Sequence, residues 1–288
     1  MPPVATEGPQ AKAETRAGAR VAVVTGASRG IGARVADLLA ARGFRVLGTS
    51  RDEEGMMQVA ASGHEAMRLD LGDAGSVSQV ARAALAAGPV EVLVNNAGYA
   101  ELGPVEGVSR ADWERQLAVN VVGPFDLASR LLPAMRRRRS GRIVMLSSVL
   151  GRVVAPLTGP YAASKHALEA ATDALRAEVR PWGVHVTLIE PGSVDTSFTD
   201  AAMPGLVSRA AAVGEHDAGE RARRLVARFR RGVSPEKVAR IVVHEATRAR
   251  PRARRLVGWQ ARAAVWGRPL VPDVLFDAVV ARVLKLGP

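Results

Sequence analysis

The chain contains no cysteine. Disulfides, thiolate metal sites and cysteine nucleophiles are therefore excluded together, and a reducing, cytoplasmic setting is expected. Aromatic residues make up 4% of the sequence, and only two are tyrosines. Lysine is also scarce: 4 of the 40 basic residues are Lys12, Lys165, Lys237 and Lys285, and the rest are arginine. No apolar run approaches the roughly 20 residues needed to span a bilayer. The first 19 residues carry Ala, Pro, Gly and charge but no apolar stretch, so they read as a disordered arm and not a secretory signal. No cluster of His, Asp and Glu suggests a metal.

What is present is ordinary in bulk and uneven in charge. Apolar residues account for 48% of 288 positions, enough to bury a substantial core. The net charge is +12. Residues 21–220 hold 20 basic and 22 acidic side chains, whereas 221–255 hold 13 and 2, so the excess is confined to one segment.

Short apolar runs alternate with stretches of helical spacing. Strands are predicted at Val21–Thr25, Arg45–Thr49, Ala66–Leu69, Val90–Asn95, Arg142–Ser148 and Val184–Glu190. Helices are predicted from Ile31, around Ser76–Ala87, from Ser109 to Met135 and from Pro160 to Val179. Continuous apolar strands separated by helices specify an α/β fold, a doubly wound Rossmann-type parallel sheet covered on both faces. Its ligand crevice lies at the strands' carboxyl ends. The expected organisation is an arm (1–19), one domain (20–260) with a lid insertion at about 193–233, and a helical extension (261–288). Within these, a helix starts at Ser234-Pro235-Glu236, Arg254–Trp259 is a possible last strand, and Pro272–Leu286 has the spacing of an amphipathic helix.

Two groups of residues carry chemistry. In Tyr161-Ala-Ala-Ser-Lys165 the tyrosine and lysine are four apart and share a helix face. A cation beside the phenol is expected to lower its pKa from about 10 and make it an acid–base catalyst. Ser148 lies thirteen residues upstream. The run Thr25-Gly-Ala-Ser-Arg-Gly-Ile-Gly32 follows a strand and opens a helix, which suits a dinucleotide pyrophosphate. The second strand ends Gly48-Thr49-Ser50-Arg51. Ser50 stands where an NAD site usually has a carboxylate, and the Arg51 guanidinium, with Arg29 as a second cation, suits a 2′-phosphate. NADP is therefore expected over NAD, although a one-residue shift would bring Asp52 forward instead.

These residues resemble the short-chain dehydrogenase/reductase family, strongly over about 20–200 and more weakly to about 260. A weaker likeness points to the bacterial relatives of hydroxysteroid and retinol dehydrogenases. The resemblance implies a catalytic tetrad of Asn120, Ser148, Tyr161 and Lys165. Tyr161 would exchange a proton with the substrate oxygen, and Ser148 would hydrogen-bond that oxygen. Lys165 would tune the tyrosine and bind ribose, and the Asn120 backbone would hold a relay water. It further implies cofactor contacts at Gly26, Ser28, Arg29, Gly30, Ile31, Gly32, Ser50, Arg51, Asp70, Leu71, Asn96, Ala97, Gly98, Pro191, Gly192, Val194 and Thr196, together with Tyr161 and Lys165. A homo-oligomer is implied as well.

Val149, Leu150, Val194, Phe198 and Met203 flank the candidate residues and suggest a small hydrophobic ketone, aldehyde or alcohol as substrate. The segment Arg221–Arg231 has apolar residues at 222, 225, 226 and 229 among arginines. A lid helix is preferred for it over a helix on a membrane surface. Nucleic-acid binding is not expected, because no recognition motif accompanies the charge. A non-catalytic NADP-binding sensor or scaffold is the alternative from a different class.

Overall fold

The computed structural model describes residues 20–196, 198–214, 220 and 232–284. The predicted arm and the arginine-rich segment 221–231 lie outside the described residues. Seven strands form one parallel sheet: β1 Val21–Val24, β2 Arg45–Ser50, β3 Glu65–Arg68, β4 Val90–Asn95, β5 Gly141–Leu146, β6 Val184–Pro191 and β7 Arg254–Val257. Their order across the sheet is β3-β2-β1-β4-β5-β6-β7. The winding direction reverses between β1 and β4, and a crevice opens there at the carboxyl ends.

The strands are continuous apolar runs because both faces are covered. Along β1, Val21 and Val23 enter one core with helices α3 (Ala74–Ala87), α5 (Gly123–Arg138) and α6 (Gly159–Val179). Ala22 and Val24 enter the other, with α1 (Gly30–Ala40), α2 (Glu53–Ala61) and α8 (Pro235–Thr247). All four residues of β1 are fully buried, each valine being worth about 1.5–3 kcal/mol.

The structure differs from the expected elements in three places. Helix α2 was not expected, because only Gly55 and Val59 of its nine residues are buried and its apolar periodicity is weak. The helix predicted from Ser109 to Met135 is α4 (Arg110–Leu117), a π-helical turn (Ala118–Val122) and α5. Among the described residues the C-terminal extension holds two helices, α9 (Trp259–Gly267) and α10 (Asp273–Leu284), where one was predicted.

The insertion after β6 is pinned at its base. Val194 pairs with Val233, the Val233 amide donates to the Ser193 carbonyl (2.9 Å), and the Asp195 amide donates to the Val233 carbonyl (3.2 Å). Between these points lies α7 (Phe198–Ala212), which occupies part of the expected lid. Among the described residues no helix is long and apolar enough to cross a membrane.

Candidate active site

The glycine turn is shaped by close approach. Gly26 and Gly30 have φ of +67° and +61°, a region that side chains disfavour. Gly32 sits where the turn meets its neighbours: a Cβ there would lie 2.0 Å from the Gly26 carbonyl oxygen and 2.5 Å from Asn96 Nδ2. That amide nitrogen donates to the carbonyls of Thr25 (2.9 Å) and Gly26 (3.1 Å), and Thr25 Oγ1 accepts from the amides of Asn96 (3.0 Å) and Ala97 (2.9 Å). The loop after β4 thus braces the turn after β1. The Asn96 side chain serves the turn itself, while Ala97 and Gly98 follow in the same loop.

At the start of α1, Arg29 caps the helix with its backbone alone, so no side chain occupies the first amides. The space beside Gly30 is bounded by Thr196 Cγ2, 3.6 Å from where a Cβ would stand. Ser28 and Arg29 line the turn and Ile31 packs inward. Uncapped helical amides and a side-chain-free approach fit the pyrophosphate of a dinucleotide. Gly32→Ala should lower stability by about 1–3 kcal/mol through overpacking and weaken dinucleotide binding. Thermal denaturation and fluorescence titration would check this, and an unperturbed variant would contradict the packing account.

At the tip of β2, Ser50 is buried and packs under Gly55, whose Cβ would come within 2.1 Å of Ser50 Oγ. Asp52 is the N-cap of α2, its carboxylate accepting the Gly55 amide at 2.8 Å. Arg51 is exposed between them. After β3, Asp70 accepts the Gly72 amide (2.8 Å), and its own amide donates to Ser76 Oγ (2.9 Å). The Leu71 side chain lies in the core.

The π-helical turn and α6 bring the candidate tetrad together. Asn120 is buried in the turn; π turns insert one residue and release a carbonyl from the ordinary helical ladder. Its side chain accepts the Tyr99 amide (3.1 Å) and donates to the Tyr99 carbonyl (2.9 Å) and to Ser164 Oγ (3.1 Å). Ser164 donates to the Tyr161 carbonyl (2.7 Å). Asn120 therefore fixes both the loop after β4 and the helix carrying Tyr161 and Lys165. Ser148 leaves β5 on the other side, accepts the Leu150 amide (3.1 Å) and stands close enough to the Tyr161 hydroxyl to pull its pKa down.

The electrostatics differ from the sequence expectation. Burial pushes the Tyr161 phenol up to about 12, against the pull of Ser148. Burial brings the Lys165 ammonium down to about 8, against the Glu169 carboxylate. Lys165 does not lower the phenol as expected. Its ammonium stands 5.7 Å from the Tyr161 ring centroid and donates to the Leu146 carbonyl at 2.7 Å. Desolvation outweighs a cation that is not at the hydroxyl. The phenol is thus held protonated at neutral pH, the form needed to donate.

An apolar wall faces Tyr161. It comprises Ala100, Leu102, Leu157, Ala202 and Leu206, with Leu150 and Met203 at its margin, and the Phe198 ring lies 5.7 Å from that of Tyr161. Leu150, Phe198 and Met203 stand where the sequence suggested. Val194 does not: it packs against the opposite core because its pairing with Val233 turns it there. Val149 is half-buried in the turn after Ser148. Leu157, which sequence reasoning missed, has φ +66°, a strained conformation for leucine, and its carbonyl accepts the Gly103 amide at 2.8 Å. Pro191 ends β6, and the Gly192 amide donates to the Val257 carbonyl (3.0 Å), placing the start of the insertion beside the crevice. His166 bonds the Ala162 carbonyl (2.9 Å). Among the described residues no group of His, Asp and Glu could hold a metal.

A family model described as short chain dehydrogenase matches residues 20–205. The chain is 43% identical over 180 residues to the uncharacterized oxidoreductase YbbO of Escherichia coli, covering 62% of this chain and 67% of that protein. It is 34% identical over 280 residues to human retinol dehydrogenase 5, covering 91% and 87%. A short-chain dehydrogenase/reductase from Burkholderia phymatum, solved in complex with NAD, superposes with a TM-score of 0.77 at 28% identity, over 91% of this chain and 96% of that one. A metagenomic short-chain oxidoreductase in complex with NADP gives 0.66 at 31% identity, over 84% and 98%.

Proposed function

Because the chain belongs to the short-chain dehydrogenase family, with retinol dehydrogenase-like relatives, we propose that it interconverts a hydrophobic ketone or aldehyde and its alcohol, using NADP(H) and Tyr161 as the acid–base group. That it is an oxidoreductase working with a nicotinamide cofactor follows from the family; the substrate class, the roles of the residues and the choice of NADP are this reading. When bound, the cofactor supplies or accepts the hydride.

The chain's own residues do the rest. Tyr161 donates its proton to the carbonyl oxygen during reduction and removes it from the alcohol during oxidation. Ser148 shares that oxygen and supports charge as it develops. Lys165 holds a positive charge beneath the site and reaches toward ribose. Asn120 sets the helix and frees a backbone carbonyl that can hold a water leading to Lys165. The apolar wall under α7 excludes solvent and selects a lipophilic substrate. The observation carrying this reading is a buried Tyr161 phenol beside Ser148 at the foot of that wall.

The preference for NADP rests on the end of β2. The Asp52 carboxylate is engaged in capping α2, while Arg51 is exposed beside it. A ribose diol would have to compete for Asp52, whereas a 2′-phosphate gains a charge-assisted contact with Arg51. Arg51→Ala should weaken NADPH binding about tenfold or more and leave NADH nearly unchanged, since a hydrogen bond to a charged group is worth roughly 1.5–3 kcal/mol. Equal binding of the two cofactors by the unmodified protein would overturn the NADP assignment.

A further inference from the structure

Beneath Lys165 lies a second buried polar cluster that the catalytic roles do not use. Glu169 is one helical turn beyond Lys165 on α6, and Glu190 is the penultimate residue of β6; they are about 5% and 1% exposed. Arg254 of β7 joins them. It pairs with Glu169, with Glu190 (2.8 Å) and with Asp173 one further turn along α6. Arg152 approaches Glu190 at 3.7 Å from the turn after β5, and Arg176 pairs with Asp173.

Ser147 completes the cluster. It follows β5 directly and points away from its neighbour Ser148, toward Glu169. Gly151 marks the closeness: a Cβ there would stand 2.8 Å from Ser147 Oγ, 2.9 Å from Glu169 Cγ and 3.1 Å from the Lys165 carbonyl. Ser147 Oγ, Glu169 Oε1 and Glu190 Oε2 are buried without a hydrogen-bond partner of normal geometry. Such atoms are costly unless they hold a proton or water. A purely structural ion pair with Arg254 would not require two carboxylates, each with an unpartnered oxygen, below a lysine.

We propose that Glu169, backed by Glu190 and held by Arg254, is a positioning residue for Lys165 whose carboxylate keeps the buried ammonium charged. The inference builds on the proposed role of Lys165. Geometry places Glu169 on the lysine's own helix face, and the charged groups of the cluster are Lys165, Asp173 and Arg176 on α6, Glu190 on β6, Arg254 on β7 and Arg152 after β5. The electrostatics run the same way. The Glu169 carboxylate raises Lys165 against burial, and burial pushes Glu169 itself up to about 7, with Glu190 adding to the rise and Arg254 opposing it. Above that pH Glu169 is ionised and supports the ammonium; below it the carboxyl takes a proton and the support is withdrawn.

The scarcity of lysine makes a direct test available. With four lysines in the chain, lysine labelled with carbon-13 at Cε gives four NMR signals, and loss of one in Lys165→Arg identifies the residue. The titration is read on the full-length protein without substrate or cofactor, so failure of this inference is separable from failure of the proposed reaction. In Glu169→Gln the Lys165 midpoint should fall by about one pH unit or more, the usual effect of an opposite charge nearby, and Glu169→Asp should restore part of it. An unchanged midpoint in a folded Glu169→Gln protein would overturn the proposal. The unmodified protein supplies an independent test, since its Lys165 signal should show a second inflection near pH 7 as Glu169 ionises. A single-step curve would overturn the proposal even if the variant failed to fold.

Discussion

Replacing Tyr161 with phenylalanine should reduce turnover by about 100- to 10,000-fold, the usual contribution of a positioned acid–base group, while dinucleotide affinity stays nearly unchanged. The phenol hydroxyl meets Ser148 and faces the apolar wall, whereas the glycine turn is braced by Thr25 and Asn96 elsewhere in the crevice. Lys165→Ala should impair both turnover and binding, which separates the two roles. The pH dependence has a definite sign. Tyr161, at about 12, stays protonated through the neutral range. Lys165, at about 8, is charged below that pH and neutral above it. Ketone reduction should therefore decline as pH rises through about 8, well before the phenol ionises. Rates of nicotinamide absorbance change with a panel of lipophilic ketones would test both statements. Near-normal turnover by Tyr161→Phe would remove the catalytic assignment.

Much of this site was legible in the sequence because its parts are local. The glycine spacing of 26, 30 and 32, the four-residue interval from Tyr161 to Lys165 and the apolar strands each report short-range geometry, and the structure assembles those strands into one sheet with the turn and the helix beside it. Features that depend on distant residues were not legible. The rise of the phenol to about 12 comes from burial under α7, which no spacing reveals. Val194 turns away from the pocket because of a partner 39 positions later, Val233. Glu169, Glu190 and Arg254 come from α6, β6 and β7, and only the sheet order brings them together. Ser164 was different: it sat inside the quoted Tyr161–Lys165 run, and its spacing to the tyrosine could have drawn attention. Asp52 was noticed as a rival to Arg51, but its N-capping role becomes clear only once α2 is recognised, and α2 is too exposed to announce itself.

Helix α7 depends on a contact of the same long-range kind, and disrupting it should have a large effect. Glu101, after β4, is buried and pairs with Arg115 of α4 (2.9 Å) and with Arg209 of α7. Arg209 also donates to the Leu102 carbonyl (3.0 Å) and stands 3.4 Å from Asp112. Glycines make room for it: a Cβ at Gly103 would meet Arg209 Cβ at 3.1 Å, and one at Gly107 would meet the Arg209 carbonyl at 2.9 Å. This arrangement fastens the helix whose Ala202 and Leu206 cover Tyr161. Removing one partner of a buried pair costs about 3–5 kcal/mol. Arg115 continues to neutralise Glu101, so Arg209→Ala belongs at the low end, about 3 kcal/mol. Spent on local opening of α7, that corresponds to roughly a hundredfold faster amide exchange across 198–212. Turnover of lipophilic substrates should drop with it, while exchange in β1 and β4 stays slow. Unchanged protection of α7 in Arg209→Ala would show that the apolar wall alone holds the helix and that the Glu101 pair is incidental to it.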